Sequence, residues 1–391
     1  MGTKTYKYSM TVFDLYMNLI MIMPITTLIQ NKIDFINRIL FMGIFAMQML
    51  ILFKYKLTKN SVLLLFAALS VYIIGIFNTE NLSFDNKIVY YINWIIYSNI
   101  IILNKERFKN WILKSKALIY AVVWVWTIIV FCSIFLPSSY YIKEGGGRYF
   151  GSFAGSIFRL GPTALFIAIL SLVIIVAYED RKAITFNIIP LYCGFMGSSR
   201  TYFVIIALVA LIGIYFFSKN RKQFCCLLIL VSIIGIIAFG NSSMSQKILY
   251  TTDADQYGDF WFRITSSRSI IWTKILEQFK QLSIFKQIFG GGYGFSSRVA
   301  GHYAHNDFIE ILATHGFAGL AIYFISIIGL LKCYLKKGKL RCVSMICIII
   351  WAFNAMFNMF YYYTCAALSF PILLLVIELY IEKKKHYLKL A

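Results

Sequence analysis

Charge is what this 391-residue sequence has least of: 14% of its residues are Asp, Glu, Lys or Arg, where a soluble domain needs roughly a quarter to cover its surface. That shortage excludes a soluble globular chain. With 60% hydrophobic residues and a mean hydropathy of +0.73, the solvent for most of the chain is lipid. Acid is scarcer still, 16 Asp and Glu against 38 Lys and Arg, a net charge of +22. In a soluble protein that excess points to nucleic acid; in a membrane protein it sorts topology, and no nucleic-acid partner is expected. No small-residue cleavage site follows the apolar stretch from Thr11 to Ile29 that comes after Lys4 and Lys7, so it reads as a retained membrane helix and not a secretory leader. The eight cysteines, Cys132, Cys193, Cys225, Cys226, Cys333, Cys342, Cys347 and Cys365, fall in or near apolar spans or on basic loops. That distribution argues against a disulfide framework or a CxxC metal site and for apolar filler thiols.

A hydrocarbon core of about 30 Å takes about 20 apolar residues per helix, and twelve segments qualify: 11–29, 35–53, 61–77, 88–103, 117–136, 156–178, 183–196, 201–217, 224–239, 308–331, 342–358 and 361–380. The seventh is short, contains Pro190, and joins the eighth only through Gly197-Ser198-Ser199-Arg200; a hairpin that does not fully cross is the other reading of that pair. Alternate loops carry 24 of the 38 Lys and Arg, which makes those loops cytoplasmic and puts both termini inside. The expected fold class is an all-α polytopic integral membrane protein of about twelve transmembrane helices, a single membrane domain over 1–391, with a long extracytoplasmic loop at 240–307.

On the outer side the basic residues change character. Lysine runs such as Lys383-Lys384-Lys385 mark the inside, whereas Arg148, Arg159, Arg200, Arg263, Arg268 and Arg298 stand singly outside. A guanidinium is the better bidentate clamp for phosphate; snorkelling to lipid headgroups is the other reading. Arg159 and Arg200 resist it, since each lies in or directly beside an apolar span, where a charge needs a partner or a cavity. Within the long loop, 266–286 shows Ile271, Trp272, Ile275, Leu276, Phe279 and Leu282 at helical spacing, an amphipathic helix expected to lie at the outer interface and to be capped by Ser266 or Ser267. Gly290 to Gly294 follow, but without a Gly-Lys-Ser/Thr ending or a preceding buried strand they form no nucleotide loop; a tight turn approaching a polar ligand and a flexible connector both stand. Asp253-Ala254-Asp255 resembles a metal-holding pair, yet only Asp259 is near, and a solvated acidic loop is the expectation.

The densest chemistry is Gly301-His302-Tyr303-Ala304-His305-Asn306-Asp307-Phe308-Ile309-Glu310, at the mouth of the tenth span. Three of the four histidines lie between 302 and 315. On a helix His302 and His305 would share a face, as would Asn306 and Glu310. An imidazole suits the role of general base for a hydroxyl. Zinc is not expected, because His-x-x-His lacks the i, i+4 spacing of the helical zinc motif and no cysteine lies on this side; no cofactor is called for.

These residues resemble a family. His305-Asn306-Asp307-Phe308-Ile309-Glu310 through Gly316 and Gly319 is similar to the signature of the O-antigen polymerase and O-antigen ligase superfamily, in which HN is followed by a glutamate and two spaced glycines. Ser199-Arg200 at an outer helix start and Arg268 to Trp272 followed by the glycine run agree in order. The resemblance covers roughly 140 to 390. One departure is Arg148-Tyr149-Phe150-Gly151-Ser152-Phe153-Ala154-Gly155, which lacks the asparagines of the family's corresponding stretch and weakens any role for Arg148. The resemblance implies a GT-C-like, inverting, metal-independent glycosyltransferase of the bacterial cytoplasmic membrane. It would move glycan from an undecaprenyl-diphosphate donor to a sugar hydroxyl on the outer face, for O-antigen or capsule. Arg200 and Arg268 would clamp the diphosphate with Arg148, Arg159 or Arg263 in support, and His305 would act as base, with His302, Asn306 and Glu310 in the substrate site. A polymerase is favoured over a ligase acting on lipid A core; a lipid-glycan transporter is the alternative from another class. A chain-length regulator and a flippase are the expected protein partners.

Overall fold

The computed structural model describes residues 11–55, 57–80, 89–142, 148–218, 222–226, 229, 268–334 and 341–390. Helix α1 (Val12–Leu28) starts in a capping box: the Thr11 hydroxyl accepts from the Asp14 N–H and the Asp14 carboxylate accepts from the Thr11 N–H. Then come α2 (Asp34–Lys54), α3 (Lys59–Phe77, capped by Thr58), α4 (Tyr90–Leu103), the short α5 (Lys105–Lys114) and α6 (Lys116–Ile134). Strands β1 (Tyr140–Ile142) and β2 (Arg148–Phe150) pair antiparallel, Tyr140 opposite Phe150, a small departure from the all-α expectation. Helix α7 (Ile157–Ala177) is followed by a 3-10 helix at Arg181–Asn187, α8 (Ile188–Met196) and α9 (Arg200–Phe217). Beyond the undescribed 230–267 lie α10 (Arg268–Lys280), α11 (Ile284–Phe289), α12 (Phe295–Ala300), α13 (Asp307–Tyr334), α14 (Arg341–Asn358) and α15 (Thr364–Leu390).

Among the described residues α2, α3, α6, α7, α13 and α15 are long and apolar enough to cross a membrane, and α1, α4, α9 and α14 are shorter apolar helices beside them. This is a multi-pass membrane protein. Its centre is α7, buried over nearly its whole length and packed on α15, α9 and α1; Trp126 of α6 donates to the Thr163 hydroxyl of α7 across 3.1 Å. The outer faces of α2, α3 and α6 carry Phe53, Phe66, Phe77 and Phe131 in the open. Apolar exposure on that scale belongs against lipid, since water would drive it to associate.

Expected span 224–239 lies almost wholly outside the described residues. Segment 183–196 is not one ordinary helix: it begins in the 3-10 helix and continues as α8. Ile184, near its start, packs beside Gly213 and Leu172, while Gly197, just past its end, packs against Ile157, so the segment runs antiparallel along most of α7. Its first part is the 3-10 helix, and the rise of about 2.0 Å per residue, against about 1.5 Å in an α-helix, lets so few residues cover the distance.

The two ends of the bundle differ. At one, Lys105 meets Glu378 at 2.5 Å and Lys109 meets Glu382 at 3.0 Å, tying α5 to α15. The other end gathers the turn at 29–33, the β-hairpin, the start of α9 and everything from α10 to α12. There the expected single helix at 266–286 is two. Ser283 accepts from the Lys286 N–H and starts α11, while the Gln287 amide donates to the Lys280 and Leu282 carbonyls left open at the end of α10. The apolar stripe also has a different partner: Ile275 and Phe279 of α10 are buried with Phe295, Ala304 and Ala313, and Ile271, Trp272 and Leu282 pack around them. The helix therefore lays this stripe on the protein and not on the lipid surface.

Candidate functional site

The site is built on a loop, not a helix. Helix α12 ends at Ala300, with Gly301 as its cap, and α13 begins at Asp307, so His302 and His305 do not share a helical face. Asn306 ends the loop as a cap, its side-chain carbonyl accepting from the Ile309 N–H at 3.2 Å. Glu310, one turn into α13 and buried, accepts from the Ala304 N–H at 2.9 Å. Trp272 of α10 donates to the Ala304 carbonyl at 2.6 Å. The loop is thus held from both sides just before His305. His305 sits at φ +49, a backbone region that residues other than glycine seldom adopt, and its ring stacks on Phe158 at 6.0 Å. His302 stands exposed, close enough to influence the His305 charge. Burial above all, then the positive charge of Arg268 and the nearby His302, push the His305 imidazole down to about 4.

Three segments converge here. Arg268, the first residue of α10, donates to the Phe357 carbonyl at the end of α14. It lies within electrostatic range of Arg200, Tyr202, Tyr363 and His305. Arg200 is the first residue of α9, whose cap is Ser199 accepting from the Tyr202 N–H. Tyr363 in turn feels Arg159, which donates to the Asn31 side-chain carbonyl in the turn between α1 and α2. Arg148 stands apart in β2, exposed and stacked on the Tyr140 ring at 4.3 Å. Arg263, the Asp253-Ala254-Asp255 pair, Asp259 and the capping candidates Ser266 and Ser267 lie outside the described residues.

The glycine run serves the site's frame. Helix α13 breaks at Gly316 (φ +67, ψ −167), which frees carbonyls in the preceding turn. Gly291 and Gly292 donate their N–H groups to Ala313 and Thr314 at 2.8 and 3.3 Å. Gly290, at φ +91, brings its α-carbon so close to the Thr314 carbonyl that a β-carbon would collide. The sequence leaves this run as either a turn approaching a polar ligand or a flexible connector; in the structure its backbone approaches a broken helix.

Beside the arginines, a cavity of about 790 Å³ opens between α1, α2, α4 and the 362–365 turn, and it is lined by Arg159 and Tyr363 among others. Reading the sequence did not single out Tyr363, Tyr202, Asn31 or Arg38, which occur in ordinary apolar or turn contexts. Nor did it single out Asp307, which is wholly buried and accepts from the Tyr323 hydroxyl at 2.7 Å and from the Tyr361 N–H. Three consecutive tyrosines at 361–363 are the one local signal that could have drawn attention to that turn. Among the described residues no group of three His, Cys, Asp or Glu is arranged to hold a metal ion.

No curated protein matches the chain. Residues 185–324 match the family model described as O-antigen ligase, a stretch that takes in Arg200, Arg268, the glycine run, His305 and the break at Gly316. Over that stretch, a little over a third of its length, the chain is similar to the O-antigen polymerase and ligase superfamily.

Proposed function

We propose that this protein is a polymerase of the bacterial cytoplasmic membrane. It transfers undecaprenyl-diphosphate-linked glycan repeat units to a sugar hydroxyl at the outer face, with inversion and without a metal. The observation that carries this reading is the meeting of Arg200, Arg268 and His305, drawn from three distant stretches of the sequence, at one end of a membrane bundle. Paired guanidiniums suit a diphosphate better than a single cation does. In the reaction the acceptor oxygen attacks the anomeric carbon of the donor sugar from the face opposite the diphosphate. The bond from that carbon to the diphosphate oxygen breaks, and the electron pair leaves with the diphosphate. The hydroxyl proton passes to an imidazole nitrogen of His305, and the arginines balance the charge of the leaving group. Asn306 and Glu310 hold the loop that carries His305, and Arg159 is better situated than Arg148 to assist. A chain-length regulator and a flippase are the partners such an enzyme would need.

Transfer to a lipid A core is the second reading, and the matching family model does not choose between the two. Analysis of the product separates the two, since a polymerase leaves the lengthened glycan on undecaprenyl diphosphate. The test of the clamp uses full-length protein in proteoliposomes with lipid-linked repeat units and no ion gradient. Wild type lengthens the glycan. Arg268→Ala and Arg268→Lys should both lose most of that activity, by about tenfold or more, because lysine keeps the charge but not the fork. A fully active Arg268→Lys would reduce Arg268 to a lipid-facing charge, and wild-type protein that moves the lipid-linked repeat without lengthening it would be a transporter.

A further inference from the structure

We infer that the cavity between α1, α2 and the 362–365 turn is a saccharide subsite, which seats sugars of the lipid-linked chain next to the arginine and histidine cluster. The inference rests on the proposed glycosyl transfer and adds the part of the substrate that the arginines do not explain. Its wall carries Gln30, Asn31, Asp34, Asn37, Arg38 and Tyr362. Carboxamides both donate and accept, a carboxylate accepts and a guanidinium donates, the mixture that a ring of hydroxyls requires. The Tyr362 ring adds an electron-rich face of the sort that meets the C–H side of a pyranose. Several of these groups are already held in position: Gln30 donates to Asp34 at 3.0 Å, Arg38 pairs with Asp34 at 2.6 Å, and Asn37 accepts from the Thr26 and Thr27 hydroxyls.

Two other occupants fit less well. A polyprenyl tail would strip water from amides and charges without replacing their hydrogen bonds, at a cost of a few kcal/mol each. A diphosphate would face the Asp34 carboxylate in the cavity wall, which repels it. The volume, about 790 Å³, lies in the range of sites that enclose a compact ligand. The cavity shares Arg159 and Tyr363 with the cluster, so a sugar seated there is continuous with a diphosphate held by Arg268.

The experiment uses the full-length protein in nanodiscs and two probes: the repeat-unit oligosaccharide released from its lipid by mild acid, and undecaprenyl diphosphate without sugar. Wild type should bind both. Asn37→Ala and Gln30→Ala, which alter half-buried side chains outside the packed core, should weaken the oligosaccharide by at least about tenfold and leave undecaprenyl diphosphate unchanged. Arg268→Ala should do the reverse. Turnover measured with donor and acceptor varied in turn then tells whose sugar is seated, since KM rises for that substrate alone. Oligosaccharide binding that is unaltered in both cavity variants would overturn the subsite. So would a loss of undecaprenyl diphosphate in those variants, which would make the cavity a lipid site. Undecaprenyl diphosphate binding that survives Arg268→Ala would instead count against the diphosphate clamp, leaving the saccharide result to stand by itself.

Discussion

His305 shows how much of a residue's chemistry is set by its neighbours. A free imidazole titrates near 6.5, whereas here burial, then Arg268 and His302, bring it to about 4. The resting protein therefore keeps the ring neutral, with a lone pair to accept a proton, well below the pH at which an exposed histidine would be charged. A diphosphate bound at Arg268 would offset that part of the depression. Accordingly, kcat/KM should hold level down to about pH 5 and fall only as the half-buried imidazole protonates, and His305→Ala should lower turnover by about 10²–10⁴-fold on that plateau, with the difference shrinking as pH falls below it. The stability linkage has a definite sign. Between about 4 and 6.5 the unfolded chain binds a proton that the folded one does not, so this histidine lowers stability as pH falls through that window. Thermal denaturation of wild type should be more pH-sensitive there than that of His305→Ala. A kinetic limb near 6.5 would show an imidazole as free as one in water.

At the scale of elements, the frame of the site is a broken helix with a glycine-lined segment packed into the break. A transmembrane helix that loses hydrogen bonds needs other donors, because lipid supplies none; the N–H groups of Gly291 and Gly292 take that part for the carbonyls of Ala313 and Thr314. A side chain at 290 is excluded on two counts, the positive φ and the Thr314 carbonyl in its way. Gly290→Ala should thus destabilise by more than about 3 kcal/mol, from strain and collision together. Gly301→Ala, also at positive φ but with nothing near the added β-carbon, should cost only about 1–2 kcal/mol. Denaturation of the two purified variants in one detergent compares them directly, and equal losses would mean that the contact at Thr314 is not what fixes Gly290.

For the whole molecule, the distribution of charge and the two ends of the bundle have to agree. The lysine-rich end, with its ion pairs between α5 and α15, is the end that the loop count assigns to the cytoplasm, and the arginine and histidine cluster lies at the opposite end. In a background without native cysteines, a cysteine at the exposed Ser138 should react with a membrane-impermeant maleimide in intact spheroplasts, and one at the exposed Lys182 should react only after permeabilisation. Ser139 is unsuitable as a reporter because it is buried. The converse labelling would turn the bundle over and put the cluster out of reach of an outer-face substrate.

What the sequence by itself determined is what depends on local composition and spacing. Apolar runs had to become membrane helices, and Thr11 with Asp14 had to cap the first of them. The order of the Ser199-Arg200, Arg268 to Trp272 and His305-Asn306 motifs was likewise enough to mark a resemblance that the family model matches over residues 185–324. The tertiary structure alone decided where those motifs meet. Only packing brings Arg200 and Arg268 together and adds Arg159 through Tyr363, joins Asn31 to Arg159, and leaves Arg148 stacked on Tyr140. Packing also turned an interfacial stripe on α10 into a buried one and a helical histidine pair into a strained loop. The reason is physical: periodicity reports that a face is apolar, but lipid and protein satisfy an apolar face equally, and only the partner that arrives settles which of them it meets.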